Sequence, residues 1–250
     1  MRTYLLEIKY EFLKALRMPG YSLPTLIFPV FFYLFFGVMF GAKQTGTVTM
    51  ASYLIATYGV FGVMGAGLFG FGVSVAVERG QGWLEVKRTT PMPMAAYFVS
   101  KLAMSMIFSA IVVLLLFALG VTAGGVHLPL TTALSLFGVL VTGSITFCAL
   151  GLAIGFLAGP NSAAPIVNLI YLPTAFLSGL WIPIMFLPKA VQSLAMWLPQ
   201  YHFSQLALRT IGGSRGGSIA GHIGAMLAAT VVFGLVAWFG YRRDEGKLYG

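Results

Sequence analysis

Residues 102–188 read LAMSMIFSAIVVLLLFALGVTAGGVHLPLTTALSLFGVLVTGSITFCALGLAIGFLAGPNSAAPIVNLIYLPTAFLSGLWIPIMFLP, without a single Asp, Glu, Lys or Arg. These 87 residues form a run that is too long and too apolar for the core of a soluble domain. Because a membrane crossing takes about 20 mostly apolar residues, the stretch predicts three crossings joined by two short turns. Further charge-free runs occupy residues 18–42, 44–77 and 216–241. The pattern predicts an all-α polytopic membrane protein.

The composition agrees with a membrane protein and argues against a nucleic-acid partner. Hydrophobic residues make up 58% of the chain and charged residues only 8%, against about 25% in soluble domains. The net charge of +9 comes from basic residues that flank the apolar runs. That placement orients a membrane protein, whereas a nucleic-acid site would gather bases and aromatics into a patch. The single cysteine, Cys148, excludes an intramolecular disulfide.

The apolar runs predict one transmembrane domain over residues 1–250 with six spans. We place these spans at residues 21–41, 52–77, 102–122, 132–157, 163–181 and 218–241. Residues 1–20 predict an amphipathic helix at the membrane surface, because apolar residues recur there at helical spacing between charged ones. Residues 78–101 form a polar segment. Residues 182–215 contain three prolines and two short apolar runs, which predicts an outer re-entrant or interfacial helical hairpin.

Lys and Arg predict the orientation of the chain. With a cytoplasmic N-terminus, eleven of the 15 basic residues fall on the cytoplasmic side and four on the outside. This asymmetry follows the positive-inside rule. Six spans return the C-terminus to the same side, so both termini are predicted to be cytoplasmic, and the protein is predicted to lie in the cell membrane.

Ion-coupled carriers and intramembrane enzymes are disfavoured by what the predicted spans lack. Carriers place carboxylates or histidines at mid-membrane, but no Asp, Glu, Lys or Arg falls within a predicted span. His127 lies in an outside turn, His202 in the outer segment and His222 at the start of span six, where interfacial hydrogen bonding is the expected role. The sequence also contains no HExxH or paired-Asp motif. We therefore predict no catalytic residue and no metal site.

Small residues at four-residue spacing predict close helix packing in two spans. Such spacing lets helix backbones approach one another in lipid. The residues concerned are Gly62, Ala66 and Gly70 in span two, and Gly151, Gly155 and Gly159 at the end of span four. Packing within one subunit is one interpretation of this pattern, and a sliding or dimerising face is the other.

Span five contains the candidate pathway residues. Asn168 and Tyr171 lie about one turn apart, and Pro173 follows them. A proline removes a helix hydrogen bond and favours a kink. The freed carbonyl is tolerated in lipid only against protein or a watery cavity. This combination predicts the wall of a transport pathway, while ordinary tertiary packing is the alternative.

The polar segment resembles a known family. Residues 78–91 read ERGQGWLEVKRTTP, which is similar to the loop between spans two and three of ABC transporter permeases of the type-two export class. An acidic–basic pair, a Gly-x-Leu-Glu core and a Thr-Pro occur together there. The matching residues are Glu78, Arg79, Gly82, Leu84, Glu85, Thr90 and Pro91. Trp83 departs from the small polar residue that is commoner in the family. The resemblance extends over the whole chain and includes the outer run LSGLWIP at residues 177–183.

The resemblance implies the permease subunit of an ATP-driven exporter. Two six-span copies would form one pathway, and two copies of a separate ABC ATPase subunit would dock on the cytoplasmic segment. That partner would bind ATP and magnesium, because this chain has no GxxxxGK[ST] motif; the chain itself is predicted to hold no cofactor and to be no enzyme. Glu78, Arg79 and Glu85 would contact the ATPase, or alternatively cap span two and solvate a loop.

The apolar spans suit a hydrophobic or amphipathic substrate, such as a drug-like compound or a lipid. Export of a polysaccharide or an ion by the same class, and a membrane scaffold that transports nothing, are the alternatives.

We expect the predicted orientation to be visible by cysteine labelling. In a Cys148→Ser background, a cysteine at Lys189 should react with a membrane-impermeant maleimide added from outside, and a cysteine at Lys247 should not. Both should react after the membrane is permeabilised. The reverse pattern of labelling would contradict the orientation.

Overall fold

The chain is almost entirely helical. The computed structural model describes the backbone of residues 2–249 and the side chains of residues 2–244, so the Lys247 side chain lies outside the described part. The helices are α1 Arg2–Leu16, α2 Pro19–Phe32, α3 Met50–Gly67, α4 Ser74–Gly80, α5 Trp83–Arg88, α6 Met94–Thr122, α7 Leu130–Leu157, α8 Ala163–Leu177, α9 Lys189–Ala195, α10 Pro199–Thr210 and α11 Ile219–Tyr249.

Short irregular elements connect these helices. A π-helical turn at Tyr33–Val38 extends α2, and a second one at Leu68–Val73 joins α3 to α4. Two strands, β1 Gln44–Thr45 and β2 Val48–Thr49, form a small antiparallel hairpin between α2 and α3. One 3₁₀ turn, Ile184–Phe186, precedes α9.

Five helical stretches in the described part are long and apolar enough to cross a membrane. They are Pro19–Val38, Met50–Gly80, Met94–Thr122, Leu130–Leu157 and Ile219–Asp244. The predicted span 163–181 corresponds to α8, which has only 15 residues. At 1.5 Å per residue α8 is about 22 Å long, shorter than the roughly 30 Å hydrocarbon core. An all-α polytopic membrane protein agrees with this arrangement, and the sixth crossing stays a prediction.

The predicted polar segment 78–101 is mostly helical. It contains the end of α4, the whole of α5 and the first turns of α6. Helix continues through Glu78 and Lys101 because the two side chains meet, with Lys101 Nζ 2.6 Å from Glu78 Oε1. The helices that contain the second and third predicted spans therefore extend beyond those spans and include this ion pair, while the predicted spans themselves contain no Asp, Glu, Lys or Arg.

Helix α3 forms the centre of the bundle. Sixteen of its 18 residues are buried, and it contacts α2, α6, α7 and α10. A helix that is apolar or small on every side is suited to a fully enclosed position.

The second span and α7 touch through backbone at glycines. A Cβ on Gly151 would lie 2.8 Å from the Gly67 carbonyl oxygen, and one on Gly72 would lie 2.5 Å from the Gly151 oxygen. A Cβ on Gly155 would lie 2.8 Å from the Gly72 oxygen. The π turn at Leu68–Val73 runs along this contact. Dispersion between closely approaching backbones is a main source of helix association in lipid.

The other small residues of the four-residue pattern behave differently from one another. Gly62 faces Val112 and Pro29, and Gly70 faces the Tyr21 hydroxyl. Ala66 packs in a separate cluster against α1 and α6. Gly159 lies in the turn after α7, where an added Cβ would meet only Ser162 Oγ at 3.5 Å. Packing within the subunit thus accounts for every position of the pattern except Gly159.

Helix α1 is oriented with two carboxylate residues toward the bundle, which the prediction of an amphipathic surface helix did not include. Its carboxylate residues Glu7 and Glu11 face the bundle, and Glu11 is buried. Leu5 and Tyr10 are exposed instead. Glu7 and Glu11 turn inward because α5 and α6 supply lysines there. Phe12 and Ala15 also pack against α6, so the inward face of α1 is both charged and apolar.

The outer segment 182–215 is partly embedded in the bundle. Helix α10 packs against α3, α7 and α11, and the Phe203 ring lies 5.7 Å from the Phe147 ring. Gln200 Nε2 donates to Thr174 Oγ1 at 3.0 Å. The two ring nitrogens Nδ1 of His202 and His222 are 2.9 Å apart, which ties α10 to the start of α11.

Gly151→Ala should destabilise the protein, because its new methyl group would meet backbone that cannot move aside. We expect a loss of about 1–3 kcal/mol, the usual cost of overpacking. The measurement is the midpoint of thermal unfolding in detergent.

Gly138→Ala on the same helix is the matched control, since nothing lies within 4 Å of its added Cβ. It should be neutral or stabilising by up to about 1 kcal/mol. Equal midpoints for the two variants would contradict the close contact.

Candidate coupling site and candidate apolar pocket

A buried ionic cluster lies at the end of the bundle that carries α1 and α5. Its centre is Lys101, which has no exposed surface. Lys101 Nζ lies 2.6 Å from Glu78 Oε1 and 2.9 Å from Glu11 Oε2. The two carboxylate residues are themselves only 6% and 5% exposed. Three charges from three separate helices thus share one dry site.

Four more side chains complete this cluster. Lys14 forms an ion pair with Glu78, and Lys87 forms one with Glu7. Tyr97 donates its hydroxyl proton to Glu78 Oε2 at 2.7 Å. Its ring also lies 4.7 Å from Lys87 Nζ and 5.3 Å from Lys101 Nζ, within cation–π range. With three carboxylates and three ammonium groups, the ionic cluster is electrically balanced.

The neighbouring carboxylates favour the charged form of Lys14. Burial alone would lower the pKa of Lys14, but the carboxylates of Glu78 and Glu11 raise it above its ordinary value of 10.5. A lysine whose pKa is raised contributes stability at every pH below its unfolded-state pKa and loses it only as the pH rises through the folded-state pKa. The Lys14 contribution therefore persists through the neutral range.

The cluster joins α5 to the long helices. Lys87 belongs to α5, Glu78 to α4, Lys101 and Tyr97 to α6, and the remaining members to α1. Leu84 of α5 is also buried, against Val75, Tyr97 and Phe156. Gly82 makes the turn before α5 with φ of 77°, a left-handed conformation that favours glycine. Helix α5 is therefore fixed to α1, α4 and α6 on one side.

The other side of α5 is exposed and partly apolar. Trp83 is 55% exposed and Val86 is 53% exposed, and Glu85 lies between them on the surface. Thr90 and Pro91 follow in an exposed turn. Large apolar side chains exposed on a loop that is otherwise polar are typical of a protein-binding surface.

Arg79 has a structural position that differs from the predicted contact with an ATPase. It donates to the carbonyl oxygens of Phe156 and Ala158, the second at 2.6 Å, and lies 3.5 Å from Asp244. The last carbonyls of a helix need such donors. Arg79 therefore caps α7 and links it to α11. Glu78 is likewise engaged within the chain, so of the three charged residues predicted for docking only Glu85 is exposed.

Sequence reasoning missed most members of the ionic cluster. Glu7, Glu11 and Lys14 lie at helical spacing on one face of α1, which was a detectable sign of a polar face toward protein. Lys101 and Tyr97 offered no such sign, because their partners lie on other helices. The glutamates are paired with lysines and a tyrosine, and the described residues contain no group of three His, Cys, Asp or Glu that could hold a metal.

A separate apolar pocket of about 370 Å³ lies where the C-terminal end of α2 meets the start of α3 and the loop after α8. Its lining includes Phe32, Phe36, Leu54, Tyr58 and Trp181. The Phe32 and Trp181 rings stack at 5.6 Å. An apolar lining that includes several aromatic rings is the usual form of a site for an apolar small molecule.

The candidate pathway residues of α8 do not share a face. Tyr171 is buried, donates its hydroxyl to the Phe61 carbonyl at 2.9 Å and stacks on that ring at 4.5 Å. Asn168 is exposed and donates to Ala164 O of its own helix at 3.2 Å. Neither residue lines the apolar pocket, and Pro173 is exposed beyond them. Tyr171 therefore packs inside the subunit and Asn168 lies on its outer face, and the pathway assignment stays a prediction.

Comparison with known proteins places these features in a family. The family model described as "ABC-2 type transporter" matches residues 3–211. The chain is also 29% identical over 237 residues to a Bacillus subtilis (strain 168) protein described as "Putative transport permease YvfS". That alignment covers 94% of this chain and 95% of the relative.

Removing the central lysine should strongly destabilise the protein, because it leaves two buried carboxylates without their shared cation. For Lys101→Met we expect a loss of about 3–5 kcal/mol, measured as a lower thermal midpoint in detergent. Lys9→Met, at an exposed position of α1, is the control and should change little.

The double variant Lys101→Met/Glu78→Gln restores charge balance and should recover much of the lost stability. A double variant as unstable as the sum of its single variants would show that the two groups act independently.

Proposed function

The chain belongs to the ABC-2 type transporter family, and from that premise we propose that it is the transmembrane subunit of an ATP-driven exporter. In this proposal the chain makes no catalytic contribution. ATP and magnesium are bound by two copies of a separate ABC ATPase, and two copies of this chain form the pathway. Family membership supports a transport permease, and the exposed face of α5 is the observation that carries the ATPase partner.

The ATPase docks on α5. Trp83 and Val86 provide an apolar surface of the kind that anchors interfaces, and Glu85 adds one charge between them. Helix α5 has only six residues, which is too short to be stable without tertiary contacts. Its order comes from Leu84 and from the ionic cluster, so the docking surface is held by the same contacts that reach the spans.

Motion of the ATPase then passes through the ionic cluster. A push on α5 acts on Lys87, and through the shared charges on α1, α4 and α6. Breaking any one pair would leave a buried charge unpaired, which costs several kcal/mol. The four elements are therefore expected to move together. In this scheme Glu78 and Arg79 position the coupling helix, and Glu85 meets the partner.

The second copy of the chain covers α8. Leu169 of α8 is 74% exposed, and Asn168 lies beside it on the surface. A side-chain amide is costly against acyl chains and favours another polar group. Pairing of two α8 helices about a two-fold axis would satisfy Asn168. The short α8 and the embedded α10 together would complete the sixth crossing, with both termini cytoplasmic.

The substrate is hydrophobic or amphipathic. The apolar pocket offers rings and aliphatic side chains with almost no hydrogen-bonding group, which suits a drug-like compound or a lipid tail. The pocket lies next to the outward ends of α2 and α3, away from the ionic cluster. Substrate leaving toward the outside would pass it.

ATP-dependent efflux tests the proposal. The chain is co-expressed with an ABC ATPase, and export of an apolar fluorescent dye is followed in inverted vesicles. Trp83→Ala/Glu85→Ala should reduce ATPase co-purification and efflux by about tenfold, consistent with loss of an interface anchor worth at least 1.4 kcal/mol. Phe36→Ala in the pocket should reduce efflux and leave the ATPase bound.

Lys9→Ala, on the exposed face of α1, is the control for the docking variant. Unchanged co-purification of the ATPase with Trp83→Ala/Glu85→Ala would contradict the docking surface. ATPase binding without export of any apolar probe would favour a scaffold or a polar cargo over the proposed substrate class.

A further inference from the structure

A groove separate from the apolar pocket and the ionic cluster runs between α7, α10 and α11. Its volume is about 740 Å³, and it lies between two helices, α7 and α11, that are long and apolar enough to cross a membrane. Leu227 of α11 lines it and is 61% exposed. From Ile219 to Thr230 the groove follows twelve residues of α11, a rise of about 16 Å. One leaflet of hydrocarbon is about 15 Å deep, half of the roughly 30 Å core.

Hydroxyl residues line the deep walls of the groove, and their hydroxyl protons are already donated in hydrogen bonds. Thr146 and Thr230 bond each other at 2.7 Å, and Thr230 also donates to the Met226 carbonyl. Thr142 donates to Gly138 O at 2.6 Å, and Ser135 donates to Thr131 O at 2.8 Å. Because these groups are satisfied within their own helices or by each other, the deep part of the groove suits an apolar chain.

The mouth of the groove is different, because Arg209 is its single charged lining residue. Arg209 is exposed, and its Nη1 donates to Gly217 O at 2.9 Å. That bond uses one of the five N–H groups of a guanidinium. Thr131 and Thr132 line the same end at the start of α7. Arginine beside hydroxyl groups at the membrane surface is suited to a phosphate.

We propose that this groove binds one anionic phospholipid, with its phosphate on Arg209 and one acyl chain between α7 and α11. Cationic charge at one end, an apolar trough of leaflet depth and a position between two helices long and apolar enough to cross a membrane all match that molecule. The exposed guanidinium of Arg209 at the mouth favours a charged headgroup over a packed apolar helix. The lipid is a resident component, independent of the proposed export function, and the predicted orientation places it in the outer leaflet.

Native mass spectrometry of the full chain in detergent tests the proposal. The protein is titrated with phosphatidylglycerol or with phosphatidylcholine of the same acyl chains. One phosphatidylglycerol per chain should bind about tenfold more tightly than phosphatidylcholine, as expected for charge-assisted hydrogen bonds. Arg209→Gln should abolish that preference, and Arg209→Lys should retain part of it. Leu227→Trp should weaken binding of both lipids by filling the groove.

Two matched variants lie outside the groove. Arg215→Gln removes another exposed outer arginine, which contacts Gln192, and Leu235→Trp enlarges another exposed residue of α11. Both should bind phosphatidylglycerol as the unchanged protein does. Equal affinity in Arg209→Gln and Arg215→Gln would overturn the phosphate site. Unchanged lipid binding in Leu227→Trp, or a change in the number of chains per particle in place of lipid loss, would overturn the lipid as the occupant.

Discussion

Lys101 is the group on which the end of the bundle that carries α1 and α5 depends. Its side chain has no exposed surface, and within the described residues Glu11 and Glu78 are the carboxylates that pair with it, beside the Tyr97 ring. An ammonium ion in a dry site is stable only with partners close enough to replace its hydration. Helix α1 therefore lies against α4 and α6 with the Glu11 carboxylate inward.

Two kinds of contact hold the bundle together, ion pairs at one end and close backbone contact within the spans. At the end carrying α1 and α5, polar side chains compensate one another at specific distances. Deeper in the span, α3 and α7 approach through Gly67, Gly72 and Gly151, where side chains are absent. Ion pairs determine the direction and register of the helices. Close backbone contact adds van der Waals attraction between helices, which lipid packed against the same surfaces would not equal. Helix α5 is held by the Lys87 ion pair and by the buried Leu84, and takes no part in the close backbone contacts.

Hydropathy and charge predicted the class of the protein and most of its apolar helices, and the resemblance of residues 78–91 predicted its family. These properties are local, since a run of apolar residues needs no partner to be recognised. The motif around Glu85 was likewise local, and its exposed position on α5 suits the docking role proposed for it. The pairing of Lys101 with Glu11 joins residues 90 positions apart and left no trace in either segment. The packing of Tyr171 against Phe61 could not be predicted for the same reason, because it depends on how α8 turns relative to α3.

The π turn at Leu68–Val73 has a consequence for how the chain tolerates insertion and deletion. A π turn covers one helical turn with about one residue more than an α turn. Losing that surplus residue within Leu68–Val73 would convert the π turn into an α turn of the same rotation, and Glu78 and Arg79 would keep their facing. A second loss would find no surplus to remove and would rotate Glu78 by about 100° away from Lys101. Lineages of this protein should therefore differ by at most one residue in the length between Gly67 and Glu78.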